Sequence, residues 1–225
     1  STTMDNGMGL SVGFTLTNSS HSAGFSVDTC MGTLRTGSGY QVNSAADGMD
    51  SLPNNANVQS SNKKLGTYND GDGAMGEGIK YTSPSMNGWT MALSVGENGG
   101  LGDRVTSGAI KGSLMGVSIA AGVVDQVGAN DDSFVTLGYS IGGVGIGYGM
   151  YDSDEDESIA MSVTTSVAGM NVGYRFDDLD SSAGDNDMST YSIGKDLGGL
   201  SLTLMYEEQD AADTSEWNLV YAMGF

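Results

Sequence analysis

Apolar residues recur at every second position through most of the C-terminal half of the chain. Val135, Leu137, Tyr139 and Ile141 alternate with Thr136, Gly138 and Ser140, and Val144, Ile146, Tyr148 and Met150 alternate with glycines. Ile159, Met161, Val163 and Val167 stand among Ser158, Ala160, Ser162, Thr164 and Ser166. The same phase gives Met170, Val172, Tyr174, Phe176, then Leu200, Leu202, Leu204, Tyr206, and finally Trp217, Leu219, Tyr221, Met223, Phe225. A period of two predicts β-strands, because a helix would need spacings of three and four. Toward the N-terminus, the pattern predicts further strands near 104–111, 88–97, 75–83, 30–37, 21–28 and 8–18. Over the whole chain the pattern is read as a meander of about 14 strands.

The connections alternate too. Short glycine-bearing turns are predicted at Lys111-Gly112-Ser113, Gly142-Gly143, Ala168-Gly169 and Gly198-Gly199, since glycine supplies the positive φ of tight hairpins. Long acidic loops are predicted at Asp125–Asp132, Asp152–Glu157, Asp177–Asp187 and Glu207–Glu216. Residues 38–74 show no alternation, and a structureless stretch of that length in a compact domain is usually functional.

The second face of each strand separates two all-β architectures. A soluble sandwich would turn Lys, Glu and Thr to bulk water on that face; here it is mostly Gly, Ser, Ala and Thr. Such small residues suit the lumen of a transmembrane barrel, whose apolar face meets lipid. Trp89, Tyr151, Tyr174, Tyr206, Trp217 and Tyr221 stand near the ends of the apolar phase, as an interfacial aromatic girdle requires. No apolar run approaches the ~20 residues of a membrane helix. The expected fold is therefore all-β: a transmembrane, antiparallel up-and-down β-barrel forming a single domain over 1–225.

Composition agrees. The net charge of −20 could signal disorder, but 38% hydrophobic residues in regular spacing argue against it. The 36 glycines and two prolines fit neither collagen nor a Pro-rich linker. Cys30 alone cannot form an intramolecular disulfide, and reads as a small buried or lipid-facing residue.

Three features resemble the general bacterial porins, closest to the alphaproteobacterial type. The terminal segment Trp217-Asn-Leu-Val-Tyr-Ala-Met-Gly-Phe225 is similar to the signal read by outer-membrane assembly machinery, with Tyr221, Met223 and Phe225 as its core. Gly32-Thr-Leu-Arg-Thr-Gly37 resembles the strand leading into the porin constriction loop, and the long loop 38–74 follows it directly. The resemblance implies a 16-stranded, water-filled barrel, usually trimeric, in the outer membrane of a Gram-negative-type bacterium. It implies passive diffusion of ions and small hydrophilic solutes, with outer-membrane lipid and lipopolysaccharide as surroundings and loop 38–74 folded inward. Met4–Thr17 resembles the third strand of that family, so two further N-terminal strands are expected in the complete protein.

By parity, Arg35, Lys80 and Arg175 lie on the lumen face, since a lipid-facing cation near the bilayer midplane costs about 2–4 kcal/mol. The long loop supplies Asp47, Asp50, Lys63, Lys64, Asp70 and Asp72. The resemblance implies that acidic loop residues face basic wall residues across a constriction. With 28 acidic against 8 basic side chains, a modest preference for cations is expected.

Catalysis finds little support. The lone His21 sits in the polar segment Asn18-Ser-Ser-His-Ser22, with no orienting group or oxyanion donor nearby in the chain, and no catalytic residue is assigned. No His/Cys cluster has zinc spacing, and Gly143-Val-Gly-Ile-Gly-Tyr-Gly lies within a strand, so it is no nucleotide fingerprint. Asp152, Asp154 and Asp156 could bind Ca²⁺ loosely, though no EF-hand template fits and a solvated loop is the plainer reading. No other cofactor and no nucleic-acid partner is expected. A non-conducting structural or adhesive barrel and an outer-membrane hydrolase remain the alternatives to a channel.

Overall fold

The computed structural model describes residues 2–3, 9–16, 21–36, 77–97, 104–127, 131–153, 156–181, 187–198, 200–210 and 214–223. Among them are fifteen strands. These are β1 (Thr2–Thr3), β2 (Gly9–Leu16), β3 (His21–Thr29), β4 (Gly32–Thr36) and β5 (Glu77–Thr82). Next come β6 (Thr90–Glu97), β7 (Arg104–Leu114), β8 (Val117–Gln126), β9 (Asp132–Ile141) and β10 (Val144–Ser153). The last are β11 (Asp156–Val167), β12 (Met170–Ser181), β13 (Met188–Asp196), β14 (Leu200–Gln209) and β15 (Thr214–Met223). Their order in the sheet is their order in the chain. The expected meander is present, and the strand beyond the expected fourteen is the two-residue β1.

Two compact units emerge. One carries β1–β6 and most of β7 and β8; the other carries most of β9 and all of β10–β15. Within the first, β1 through β7 pair antiparallel in succession, with Leu34 opposite Tyr81 and Ala92 opposite Ala109. Within the second, β10 through β15 do the same, with Val163 opposite Tyr174 and Leu204 opposite Leu219.

One short turn lies elsewhere than expected. β7 runs straight through Lys111-Gly112-Ser113, and the chain reverses at Met115-Gly116, with φ of 54° and 83°. Positive φ at both central residues is the type I′ geometry that matches the twist of a hairpin. Gly112 instead makes room for an aromatic ring. A Cβ there would stand 2.2 Å from the Trp89 ring, which lies over it. Gly142-Gly143 and Ala168-Gly169 do turn the chain as expected, and Asn87-Gly88 adds another such pair.

The acidic loops are shorter than the sequence suggests. β10 and β11 are joined through residues 154 and 155, and Asp152 pairs with Glu157 in the ladder. β12 continues through Asp177–Ser181, and β14 and β15 pair as far as Gln209 and Thr214. Much of the predicted loop acid therefore belongs to strands, and alternates between their two faces.

Burial runs opposite to that of a soluble sheet. On β9, Val135 and Ile141 are 48% and 58% exposed, while Thr136 between them is fully buried. The same inversion holds along β6, β11 and β13, where Leu93, Met161 and Ile193 are exposed and Ser94, Ser162 and Ser192 are buried. Exposing apolar side chains to water while burying hydroxyls would cost free energy twice. In hydrocarbon the apolar half of that cost vanishes.

Candidate functional site: the polar face of the strands

In the first unit, the registers line up Ser26, Arg35, Lys80, Ser94 and Ser107 across β3–β7. All five share one face, and the Ser94 and Ser107 hydroxyls hydrogen-bond to each other. Arg35 and Lys80 are direct cross-strand partners. Like charges so placed repel, by a few tenths to about 1 kcal/mol. Both predicted wall cations are thus brought together, with Arg35 exposed and Lys80 half-buried. Near the β3–β4 turn, Thr33 donates to Asp28 at 2.7 Å on the same face, and the Tyr81 hydroxyl donates to the Met31 carbonyl. Cys30, expected to be buried or lipid-facing, is an exposed residue of that turn.

In the second unit, a corresponding row reads Ser162, Arg175, Thr190, Glu207, Glu216 across β11–β15. Arg175 is the third predicted wall cation, and it is neutralised. Its Nε donates to both Asp177 oxygens at 2.8 and 2.9 Å, and its second guanidinium nitrogen donates at 2.7 Å. Both side chains are buried, at 6% and 1% exposure. Asp177 sits two residues on, so the strand pleat places it on the same face. Asn218 donates to Glu207 Oε2 and to Glu216 Oε1, each at 3.0 Å.

The reverse side of this row is aromatic. Tyr174, Tyr191, Tyr206 and Trp217 are successive register partners, each adjacent in the chain to a member of the polar row. Their ring centroids lie 5.0, 6.2 and 4.8 Å apart in tilted pairs. Three of the residues expected in a girdle stand here, joined by Tyr191, while Tyr221 is exposed on the same face of β15. Tyr151 departs from that expectation. Exposed Met150 precedes it, so Tyr151 shares the polar face with Gly149, over which its ring lies.

The remaining predicted residues divide. Asp47, Asp50, Lys63, Lys64, Asp70 and Asp72, with the rest of 38–74, lie outside the described residues, as do Asp154 and Phe225. Asp152 is exposed at the end of β10, and Asp156 begins β11. No group of three or more metal-ligating side chains occurs among the described residues. His21 begins β3, opposite Leu16.

The family model of the Gram-negative porins matches residues 1–224. The chain belongs to the Gram-negative porin family. No curated protein matches it in sequence. Among solved structures it is similar to a double mutant of the Rh. blastica porin, at 18% identity and a TM-score of 0.73, over 98% of this chain and 86% of that one. It is also similar to the anion-selective porin of Comamonas acidovorans, at 18% identity and TM-score 0.61, over 99% and 83% of the two chains. OccK8 of Pseudomonas aeruginosa matches at 12% identity and TM-score 0.61, over 96% and 78%.

The porin is therefore an outer-membrane β-barrel channel, and its exposed apolar face is the one that lipid covers. Parity in the sequence puts Arg35, Lys80 and Arg175 on the polar face but, with the acidic stretches taken as loops, passes over Asp177, Glu207 and Glu216; Asn218 lies in a predicted strand and carries no charge to single it out. Parity alone places the three carboxylates once those stretches are read as strand extensions.

Proposed function

We propose that this porin is a passive, non-enzymatic diffusion channel for ions and small hydrophilic solutes, assembled as a homotrimer and modestly selective for cations. The observation that supports it is the inverted burial: along β6, β9, β11 and β13 hydroxyl-bearing residues are buried on one face while large apolar side chains are exposed on the other. A wall of Ser, Thr, Gly and paired charges offers hydrogen bonds without a positioned nucleophile, so it suits permeation better than hydrolysis. Cation preference follows from the acidic excess of 28 over 8 residues, which enriches counter-ions at the pore mouths. The Comamonas porin, called anion-selective, has a similar fold, so side chains rather than topology set the sign.

In planar bilayers the purified protein gives stable ohmic steps; absence of conductance would favour a structural or adhesive barrel. Folding of loop 38–74 into the lumen, as the family resemblance implies, makes a further outcome measurable. Deleting Asp47–Asp72 raises the single-channel conductance, and an inserted deletion variant that conducts no more than the parent refutes the inward loop.

A further inference from the structure

We propose that the apolar face of β12–β15 carries a seat for one membrane lipid with an ammonium-bearing headgroup, its tail lying along the strands and its headgroup held at Glu208. The proposal goes beyond the channel reading and rests on the lipid-covered face alone.

Three successive register rows cross these strands on that face. The first is aliphatic: Val172, Ile193, Leu204 and Leu219. The second is the aromatic row Tyr174, Tyr191, Tyr206 and Trp217, and the third reads Phe176, Ser189, Glu208 and Ser215. From row to row the surface passes from hydrocarbon through amphipathic rings to hydroxyls and one carboxylate. A lipid presents its tail, its interfacial region and its headgroup in that same order.

The side chains do not make a flat surface. They line a groove of about 630 Å³, with Ile193 and Leu204 toward one end, Tyr191, Tyr206 and Trp217 in the middle and Glu208 at the other end. Sites for single small ligands span ~300–1,000 Å³, and this groove falls among them.

Glu208 decides which lipid fits. It is exposed, and no hydrogen bond or ion pair engages its carboxylate among the described residues. Of the two cations in β12–β15, Arg175 lies on the opposite face. The other, Lys195, stands six residues along β13 from Ser189, the register partner of Glu208, and so ~20 Å away. A purely anionic headgroup at this end of the groove would be repelled. An ammonium is attracted, both by the carboxylate and by the ring faces of Tyr206 and Trp217 beside it. Those two rings are tilted against each other with centroids 4.8 Å apart, one along the strand from Glu208 and one diagonal to it.

Trp217 makes the seat measurable, since one of its two neighbouring rows holds the tail and the other the headgroup. The test places the full chain, as Trp89→Phe, in vesicles of equal phosphatidylcholine and phosphatidylglycerol, with brominated chains on one lipid or the other. Bromine quenches the indole it touches, so quenching of Trp217 reports which lipid occupies the groove. Phosphatidylcholine is enriched there about threefold over phosphatidylglycerol. Glu208→Gln brings the two lipids level, and Glu208→Lys reverses the order. If Trp89→Phe fails to insert, the same comparison is read in the parent, where only the Trp217 share responds to Glu208. Equal quenching by both lipids in the unsubstituted groove overturns the proposal, as does a preference that Glu208→Gln leaves unchanged. Absence of quenching by either lipid overturns it as well, and shows that a second copy of the chain covers this face. A chain that keeps the lipid preference but does not conduct upholds the seat and refutes the channel reading.

Discussion

Asp177→Ala lowers the unfolding free energy by about 3–5 kcal/mol, the cost of stranding a buried guanidinium that had been paired. The partner left behind is Arg175, 5% exposed on the polar face of β12, whose Nε and terminal nitrogen both donate to the Asp177 carboxylate. Urea unfolding in lipid vesicles, followed through Trp89 and Trp217, measures the loss. The double variant Arg175→Gln/Asp177→Asn recovers most of it, because removing both charges removes the uncompensated one. A single variant within about 1 kcal/mol of the parent would show that the lumen solvates Arg175 without its carboxylate. The same pair offsets the positive charge that Arg175 brings to the polar face of β12.

Gly32→Ala is the second large effect. Gly32 opens β4 at φ 125°, a conformation L side chains rarely adopt, and an added Cβ would stand 2.4 Å from the Thr82 carbonyl oxygen and 2.9 Å from the Tyr81 ring. Backbone strain alone costs about 1–3 kcal/mol. The clash adds to it, because the Thr82 oxygen is backbone and cannot swing aside. The expected result is a refolding yield well below that of Gly142→Ala, where φ is 58° and nothing lies within 4 Å of the new methyl. That control loses about 1 kcal/mol. Equal yields would show that the β3–β4 turn is not what holds Tyr81 against Met31.

Where sequence and structure agree, the reason is the strand pleat. Val135, Leu137 and Tyr139 had to share a face, and one rule of alternation carries from β2 to β15. Where they part, one residue type served two purposes. Gly112 reads as a turn because most glycines between strands here are turns; its actual role is to make room beneath Trp89. Acidic residues read as loop because loops tolerate them, yet Asp177, Glu207 and Glu216 are strand residues with a wall to face. Nothing local in Arg175 tells that its charge is neutralised; the signal is Asp177, two positions on. The predicted constriction residues of 38–74 carry no periodic signal, so no comparable rule placed them.

The sheet is one residue thick, with Arg175, Thr190, Glu207 and Glu216 on one side of it and Tyr174, Tyr191, Tyr206 and Trp217 on the other. A single inserted or deleted residue inside β12 would therefore turn Arg175 toward hydrocarbon and Tyr174 toward the lumen, along with every other residue beyond the change. Substitutions can accumulate freely on either side while chain length within a strand stays frozen. Divergence among relatives of this porin should accordingly be written in gaps confined to the connections. Two descendants could share few identical residues and still superpose strand for strand.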